Sequence, residues 1–277
     1  MKLEDINCPP YAPVLMESTR AIGYSIESAV ADILDNSIAA KAKTISIFYN
    51  CHPHPYVAII DDGEGMNGEK LTESMRYGSA SPVDERDADD LGRYGLGLKT
   101  ASLSQCRCLT VISKQNDNVS GRRWDLDYIN KTKKWSLEQL GQDEILKQAE
   151  ISRLLSLDSG TMVLWKELDK IKTGSLTLEK ALEEKMESVQ KHLELVFHRY
   201  LSGDGASRVQ IYMNGNKLTA FDPFFVAKST VVMDDEKIEI PGREGKVVAT
   251  SFKYDKRRIG KIWRQRWIKK PAGLLYL

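Results

Sequence analysis

The chain has 277 residues, 42% hydrophobic and 29% charged, with a net charge of +1. Those proportions suit one large globular domain or two moderate ones and exclude an overall electrostatic pull toward nucleic acid or membrane. Four irregularly spaced cysteines (Cys8, Cys51, Cys106, Cys108) exclude a disulfide framework. No apolar run reaches the ~20 residues of a membrane span, and MKLEDINCPP lacks a signal-peptide pattern. The expectation is a soluble, reduced, cytoplasmic protein.

From Val14 to Ala42 the spacing predicts helix, with Ile22, Ile26, Ala29, Val30, Ile33 and Leu34 recurring every three or four residues. TISIFYN (44–50) and YVAIIDDG (56–63) read as neighbouring strands, rich in β-branched residues. A short helix is expected over 67–77. GSASPVDERDADDL (78–91) is small, polar and acidic, the composition of a mobile loop. LTVISK (109–114) and RRWDLDYI (122–129) read as strands, KQAEISRLL (147–155) as helix and TMVLWKEL (161–168) as strand. Residues 176–201 form a long amphipathic pattern. In RVQIYMNGNKLTA (208–220), Asn-Gly between strand-like runs signals a hairpin. A boundary is expected near residue 170, because the strands and helices before it already make a unit.

Three polar clusters carry candidate chemistry. In ADILDNS (31–37), Asp32 and Asn36 are four residues apart and share a helix face. A carboxylate and an amide so placed suit a general base and a magnesium ligand; they equally suit a cap or a solvated stripe. In IIDDGEGM (59–66), carboxylates end an apolar strand, and Gly63 and Gly65 allow close backbone approach. Asp61 is either a buried acceptor for an exocyclic amine or part of an Asp-Gly turn. GRYGLGLKTA (92–101) places glycines and free amides at a helix start, with Lys99 adding positive charge and Thr100 a hydroxyl. It matches neither the Walker nor the dinucleotide glycine pattern.

Taken together in order and spacing, the clusters resemble the GHKL ATPases (gyrase B subunit, the ninety-kilodalton heat-shock chaperone, histidine kinases, MutL), and GRYGLGLKTA looks closest to the MORC and type II topoisomerase versions. The resemblance covers roughly residues 15–168. It implies an α/β (α+β) fold, a Bergerat two-layer sandwich with a mixed sheet, binding Mg-ATP. By the match, Asn36 would hold Mg²⁺ and Asp61 the adenine amine. Gly63, Gly65 and Met66 would line the base, with Thr161 of SGTMVLW assisting Asp61. Phosphates would fall to the stretch holding Gly92, Tyr94, Gly95, Leu96, Gly97, Leu98 and Lys99. Asp32 stands where the family's hydrolases usually carry glutamate, and is shorter by one carbon–carbon bond, about 1.5 Å. That leaves two outcomes, turnover with Asp32 as base or a nucleotide switch.

The expected organisation is an ATP-binding domain over 1–170, then a long helix and a smaller, transducer-like α/β region over 171–277, in a chain that is a truncated piece of a longer one. Nucleotide would close residues 78–94 and drive homodimerisation. KYDKRRIGKIWRQRWIKK (253–270) holds nine Lys or Arg against one acid, with aromatics interleaved, and suits nucleic acid or a solvated strand pair. Lys253 or Lys256 is a candidate for reaching the γ-phosphate. A histidine-type kinase is the nearest rival, because GLGL occurs there too; only about 25 residues precede the asparagine motif, too few for a phospho-accepting helical hairpin. CHPH (51–54) reads as a proline-bounded loop rather than a closed metal site.

Overall fold

The computed structural model describes residues 8–78, 97–171, 174, 176–203 and 208–223, and the short strands 231–232, 236–239, 246–249 and 252–253. The expectations for Gly92, Tyr94, Gly95, Leu96, most of the 78–91 loop, Lys256 and nearly all of the basic 253–270 stretch lie outside the described residues.

Helix α1 (Ala12–Thr19) and a single 3-10 turn (Arg20–Ile22) precede α2 (Ile26–Ala39). The helical pattern over 14–42 is thus two helices. Gly23 takes φ +82° between them, and the Ser25 hydroxyl restarts the second by accepting from the Ser28 amide at 3.1 Å, a standard N-cap. Strands β1 (Thr44–Asn50) and β2 (Tyr56–Asp61) pair antiparallel, as read, followed by α3 (Gly68–Met75) and α4 (Gly97–Leu103). Strands β3 (Cys108–Gln115) and β4 (Asn118–Asp125) come next. The strand read over 122–129 stops at Asp125, whose carboxylate accepts from the amides of Asp127 and Tyr128 at 2.9 and 3.1 Å. That cap starts α5 (Leu126–Thr132), overriding the local strand pattern.

Then follow β5 (Glu138–Leu140), α6 (Gln142–Leu146), α7 (Ile151–Leu155), β6 (Gly160–Lys166), α8 (Leu178–Val196), α9 (His198–Ser202), β7 (Gln210–Met213) and β8 (Asn216–Lys217). The long amphipathic helix therefore ends at Val196, where buried Phe197 separates it from α9. Asn214 and Gly215, at φ +46° and +82°, form the β7–β8 hairpin turn read from Asn-Gly.

Among the described residues eight strands form one mixed sheet in the order β5-β4-β3-β6-β2-β1-β7-β8, with β1 and β7 parallel. Alternation along the strands gives the sheet two faces. One face, carrying Ile45, Ile47, Val57, Ile59, Val111, Val163 and Trp165, packs into the main core with α1, α2 and α8. The other, carrying Ala58, Ile60, Ile112, Met162 and Leu164, is covered in part by α6 and α7 through Ile145, Ile151 and Leu154. Helix α8 buries Ala181, Leu182, Met186, Val189 and Leu193, and Ser188 Oγ donates to Glu27 of α2 at 2.7 Å.

The chain forms two compact units, residues 1–220 and 221–277. The position near 170 falls inside the first. The second holds two small antiparallel ribbons, β9 (Val231–Val232) with β12 (Phe252–Lys253) and β10 (Glu236–Glu239) with β11 (Lys246–Ala249).

Candidate functional site

Strand register builds the floor of the site. Asp61 at the end of β2 stands opposite Thr161 of β6, and Thr161 opposite Ser113 of β3. All three lie on the face that packs α2, so alternation makes a polar row at the edge of an apolar core. Thr161 Oγ1 and Ser113 Oγ are 2.8 Å apart; Ser113 also donates to Gly160 O at 3.0 Å and accepts the Met66 amide at 2.8 Å.

Asp61 is buried and its two oxygens are held separately. Oδ2 accepts from Ser37 Oγ at 2.8 Å and Oδ1 from the Gly63 amide at 2.9 Å, and the Thr161 amide bonds the same carboxylate. Burial raises its pKa, with Asp62 pushing the same way, while these three donors oppose the rise. Each carboxylate oxygen has two lone-pair positions, so the pre-set oxygens can still accept from a ligand N–H.

Gly65 and Gly160 are glycines because neighbouring main chain leaves no room. Gly65 has φ +67°, and a Cβ there would sit 2.0 Å from the Lys114 carbonyl oxygen; a Cβ on Gly160 would sit 2.0 Å from that of Asp61. The backbone after Asp61 is thereby pressed against β3 and β6.

Helix α2 forms the wall. Ser37 is buried against Asp61, and adjacent Asn36 is exposed. Asp32 lies one turn back, about 6 Å along the axis. Asp32 and Asp35 are both half-buried, and burial raises both carboxyls, that of Asp35 further through the charge of Asp32. Burial raises the pKa of Tyr24, and the charge of Asp32 pushes it the same way.

Helix α4 packs beside α2. Its first residue, Gly97, is exposed; Leu98 is half-buried against the core; Thr100 is half-buried, its hydroxyl 3.4 Å from Gly97 O. Lys99 points inward, 1% exposed, and donates from Nζ to the Ser74 carbonyl of α3 at 2.7 Å. Burial lowers its pKa to about 8.

Thus Asp32, Asn36, Asp61, Gly63, Gly65, Met66 and Thr161 share one region between α2 and the sheet, while the Lys99 ammonium is tied to α3. Sequence reasoning missed Ser37 and Ser113. Ser37 follows Asn36 directly and was legible as a polar residue on the apolar face; Ser113 carried no local signal.

A buried, doubly held carboxylate thus stands beside a helix bearing D-x-x-x-N. Residues 24–161 fit the model described as Histidine kinase-, DNA gyrase B-, and HSP90-like ATPase. The chain carries a GHKL domain. Its eight-stranded mixed sheet with helices is the architecture expected of that superfamily.

A segment of 96 residues is also 27% identical to the DNA mismatch repair protein MutL of Thermodesulfovibrio yellowstonii, covering 34% of this chain and 18% of that protein. The matched segment is therefore a small part of that relative. Neither comparison distinguishes a MORC-like member within the GHKL superfamily. Among the described residues no helix of the GHKL domain or its flanks is long and apolar enough to cross a membrane, and no group of three or more His, Cys, Asp or Glu is placed to hold a metal ion.

Proposed function

We propose that this GHKL domain binds Mg-ATP and hydrolyses it slowly. The observation that carries the reading is the buried Asp61, held by Ser37 and the amides of Gly63 and Thr161, with Asn36 next to Ser37 and Asp32 five residues before it on α2. An acceptor fixed at both oxygens suits the exocyclic amine of adenine, because a misplaced donor would leave a buried carboxylate under-satisfied. Gly63, Gly65 and Met66 follow Asp61 along the same floor and bring backbone to the base.

The donor set also fits magnesium. Mg²⁺ needs only one or two protein oxygens when phosphates and waters complete its shell, and Asn36 offers an exposed side-chain oxygen without competing carboxylates in a closed cluster. Bound there, the ion would neutralise charge on the phosphates. Asp32 takes the proton of the attacking water; burial, which raises its pKa, brings it nearer to the range useful for a base at neutral pH. Gly97 and Leu98 open α4 on the phosphate side, with Gly92, Tyr94, Gly95 and Leu96 preceding them in sequence. Lys99 joins the phosphates only by leaving Ser74. Closure of residues 78–94 and nucleotide-dependent dimerisation complete the proposal.

The test is Mg²⁺-dependent ATP binding and turnover by the full chain beside Asn36→Ala and Asp32→Asn. Asn36→Ala is expected to weaken Mg-ATP binding by at least about tenfold. Asp32→Asn is expected to keep binding and lose turnover by about 10²-fold or more. Binding without any wild-type turnover leaves a nucleotide switch; absence of binding overturns the reading. Light scattering with a non-hydrolysable analogue checks the dimer.

A further inference from the structure

We propose that Ser113 is the positioning residue of the base site: by holding the Met66 amide and taking the proton of Thr161, it makes the floor accept only, and so sets a preference for a 6-amino over a 6-oxo purine. The inference rests on the reading of this region as an ATP site. It goes beyond that reading by naming a residue, two strands from Asp61, that decides which base the floor takes.

Ser113 lies on β3 and is 0% exposed, so it reaches no ligand itself. Its hydroxyl has one proton and two lone pairs, and the fold uses all three. The proton goes to the Gly160 carbonyl at 3.0 Å, and one lone pair takes the Met66 amide at 2.8 Å. The Thr161 hydroxyl, 2.8 Å away, therefore donates to the second lone pair. The opposite order, with Ser113 donating to Thr161, would set the Ser113 and Gly160 oxygens 3.0 Å apart with no proton between them.

The consequence lies at the neighbouring position. With its proton committed to Ser113, Thr161, 9% exposed, shows the site only lone pairs. Asp61 stands opposite it in register; held by three donors, it is a carboxylate and also only accepts. A floor of two acceptors suits the two N–H of an exocyclic amine. It repels a keto oxygen at the same place, because buried lone pairs then face one another. The Met66 amide is fixed by the same hydroxyl, and the Gln115 side-chain amide, also on β3, holds the Gly65 carbonyl at 3.1 Å. The main chain after Asp61 is thereby kept in place beside this polar row, and the effect of Ser113 passes through Met66 and Thr161.

The experiment uses the full chain and two nucleotides, Mg-ATP and Mg-ITP; inosine carries a keto oxygen where adenine carries the amine. Affinity for both is measured by calorimetry, and kcat is measured with ATP. Wild type is expected to favour Mg-ATP by at least about a hundredfold. In Ser113→Ala the Thr161 hydroxyl is released and can turn its proton to the keto oxygen. The preference is then expected to fall about tenfold, the equivalent of one hydrogen bond, with kcat within about twofold of wild type. An unchanged preference in Ser113→Ala overturns the proposal, as does an equal loss of affinity for both triphosphates, which is what a merely structural role gives.

Thr161→Val removes the hydroxyl that Ser113 aims. It is expected to lower the preference about tenfold through lost ATP affinity, and adding Ser113→Ala to it is expected to change the preference no further, since no proton remains to be released. If Ser113→Ala alone does not fold, an unchanged preference in Thr161→Val overturns the proposal. Mg-ATP binding by wild type with no preference over Mg-ITP overturns the proposal and leaves the ATP reading standing. Binding of neither triphosphate overturns that reading, and the proposal with it.

Discussion

At the scale of single residues the site depends on burial acting on charge. Lys99 is the clearest case, a lysine in the interior with its ammonium on one main-chain carbonyl. Burial lowers its pKa to about 8, against the weaker opposing pull of Glu73. In the unfolded chain the same group returns to the ordinary lysine value. Below pH 8 it is protonated in both states, and folding carries the cost of a buried charge. Between about 8 and 10.5 the unfolded chain holds a proton that the folded one has released, so this group makes stability rise with pH across that window. Urea unfolding at pH 7, 8, 9 and 10 should show wild type gaining relative to Lys99→Met, which has no such group. A constant difference between the two would mean that Lys99 stays charged in the fold. Asp61 behaves oppositely in sign, a raised acid, and its three donors keep the penalty of burying the charge tolerable.

At the scale of elements the site is a consequence of strand register. Asp61, Thr161 and Ser113 meet because β2, β6 and β3 are neighbours with those residues in line, and a one-residue slip of any strand would turn its member to the other face. The glycines beyond the strand ends hold this arrangement close. Gly65→Ala places a Cβ 2.0 Å from the Lys114 carbonyl at φ +67° and should cost more than about 2 kcal/mol. Gly97→Ala, with nothing within 4 Å of its Cβ, should be neutral or slightly stabilising, within about 1 kcal/mol, because alanine is the better helix former. Urea unfolding of the two variants checks the contrast, and equal effects would remove the main-chain explanation for Gly65.

At the scale of the whole molecule, distant parts of the first compact unit are joined by an ion network centred on the buried Arg20. Arg20, its side chain 3% exposed, donates to Leu103 O at 2.6 Å, pairs with Glu17 at 3.2 Å and contacts Asp169 directly. Arg107 shares Glu17 at 3.1 Å and binds Asp127 at 2.7 Å. The end of α1, the end of α4, the start of α5 and the segment after β6 thus converge. Arg20→Leu leaves the Leu103 carbonyl unmet and is expected to cost about 2–3 kcal/mol, since removing one partner of a buried pair is far worse than losing a surface one. Glu17→Gln, at a 42% exposed partner, should cost less than about 1 kcal/mol. If both variants unfold at the same urea concentration, the network does not join the unit in the way its geometry indicates.

The sequence by itself determined the strand and helix patterns, the Asn-Gly hairpin at 214–215, and the order of the three polar clusters, because alternation, helical spacing and turn chemistry are local. It also marked Asp32, Asn36, Asp61, Gly63, Gly65 and Thr161 as one candidate set, because their order and spacing resemble a known family. Caps were less legible: Asp125 ends a strand and starts α5 through bonds to amides two and three residues on, and strand propensity in RRWDLDYI concealed it. Only the tertiary structure decided that Ser37 and Ser113 complete the polar floor, that the Lys99 ammonium goes to Ser74, and that Arg20 meets Asp169. Those contacts join residues from 24 to 149 positions apart. Strand order and helix packing create them, and no short window of sequence contains the energy that selects them.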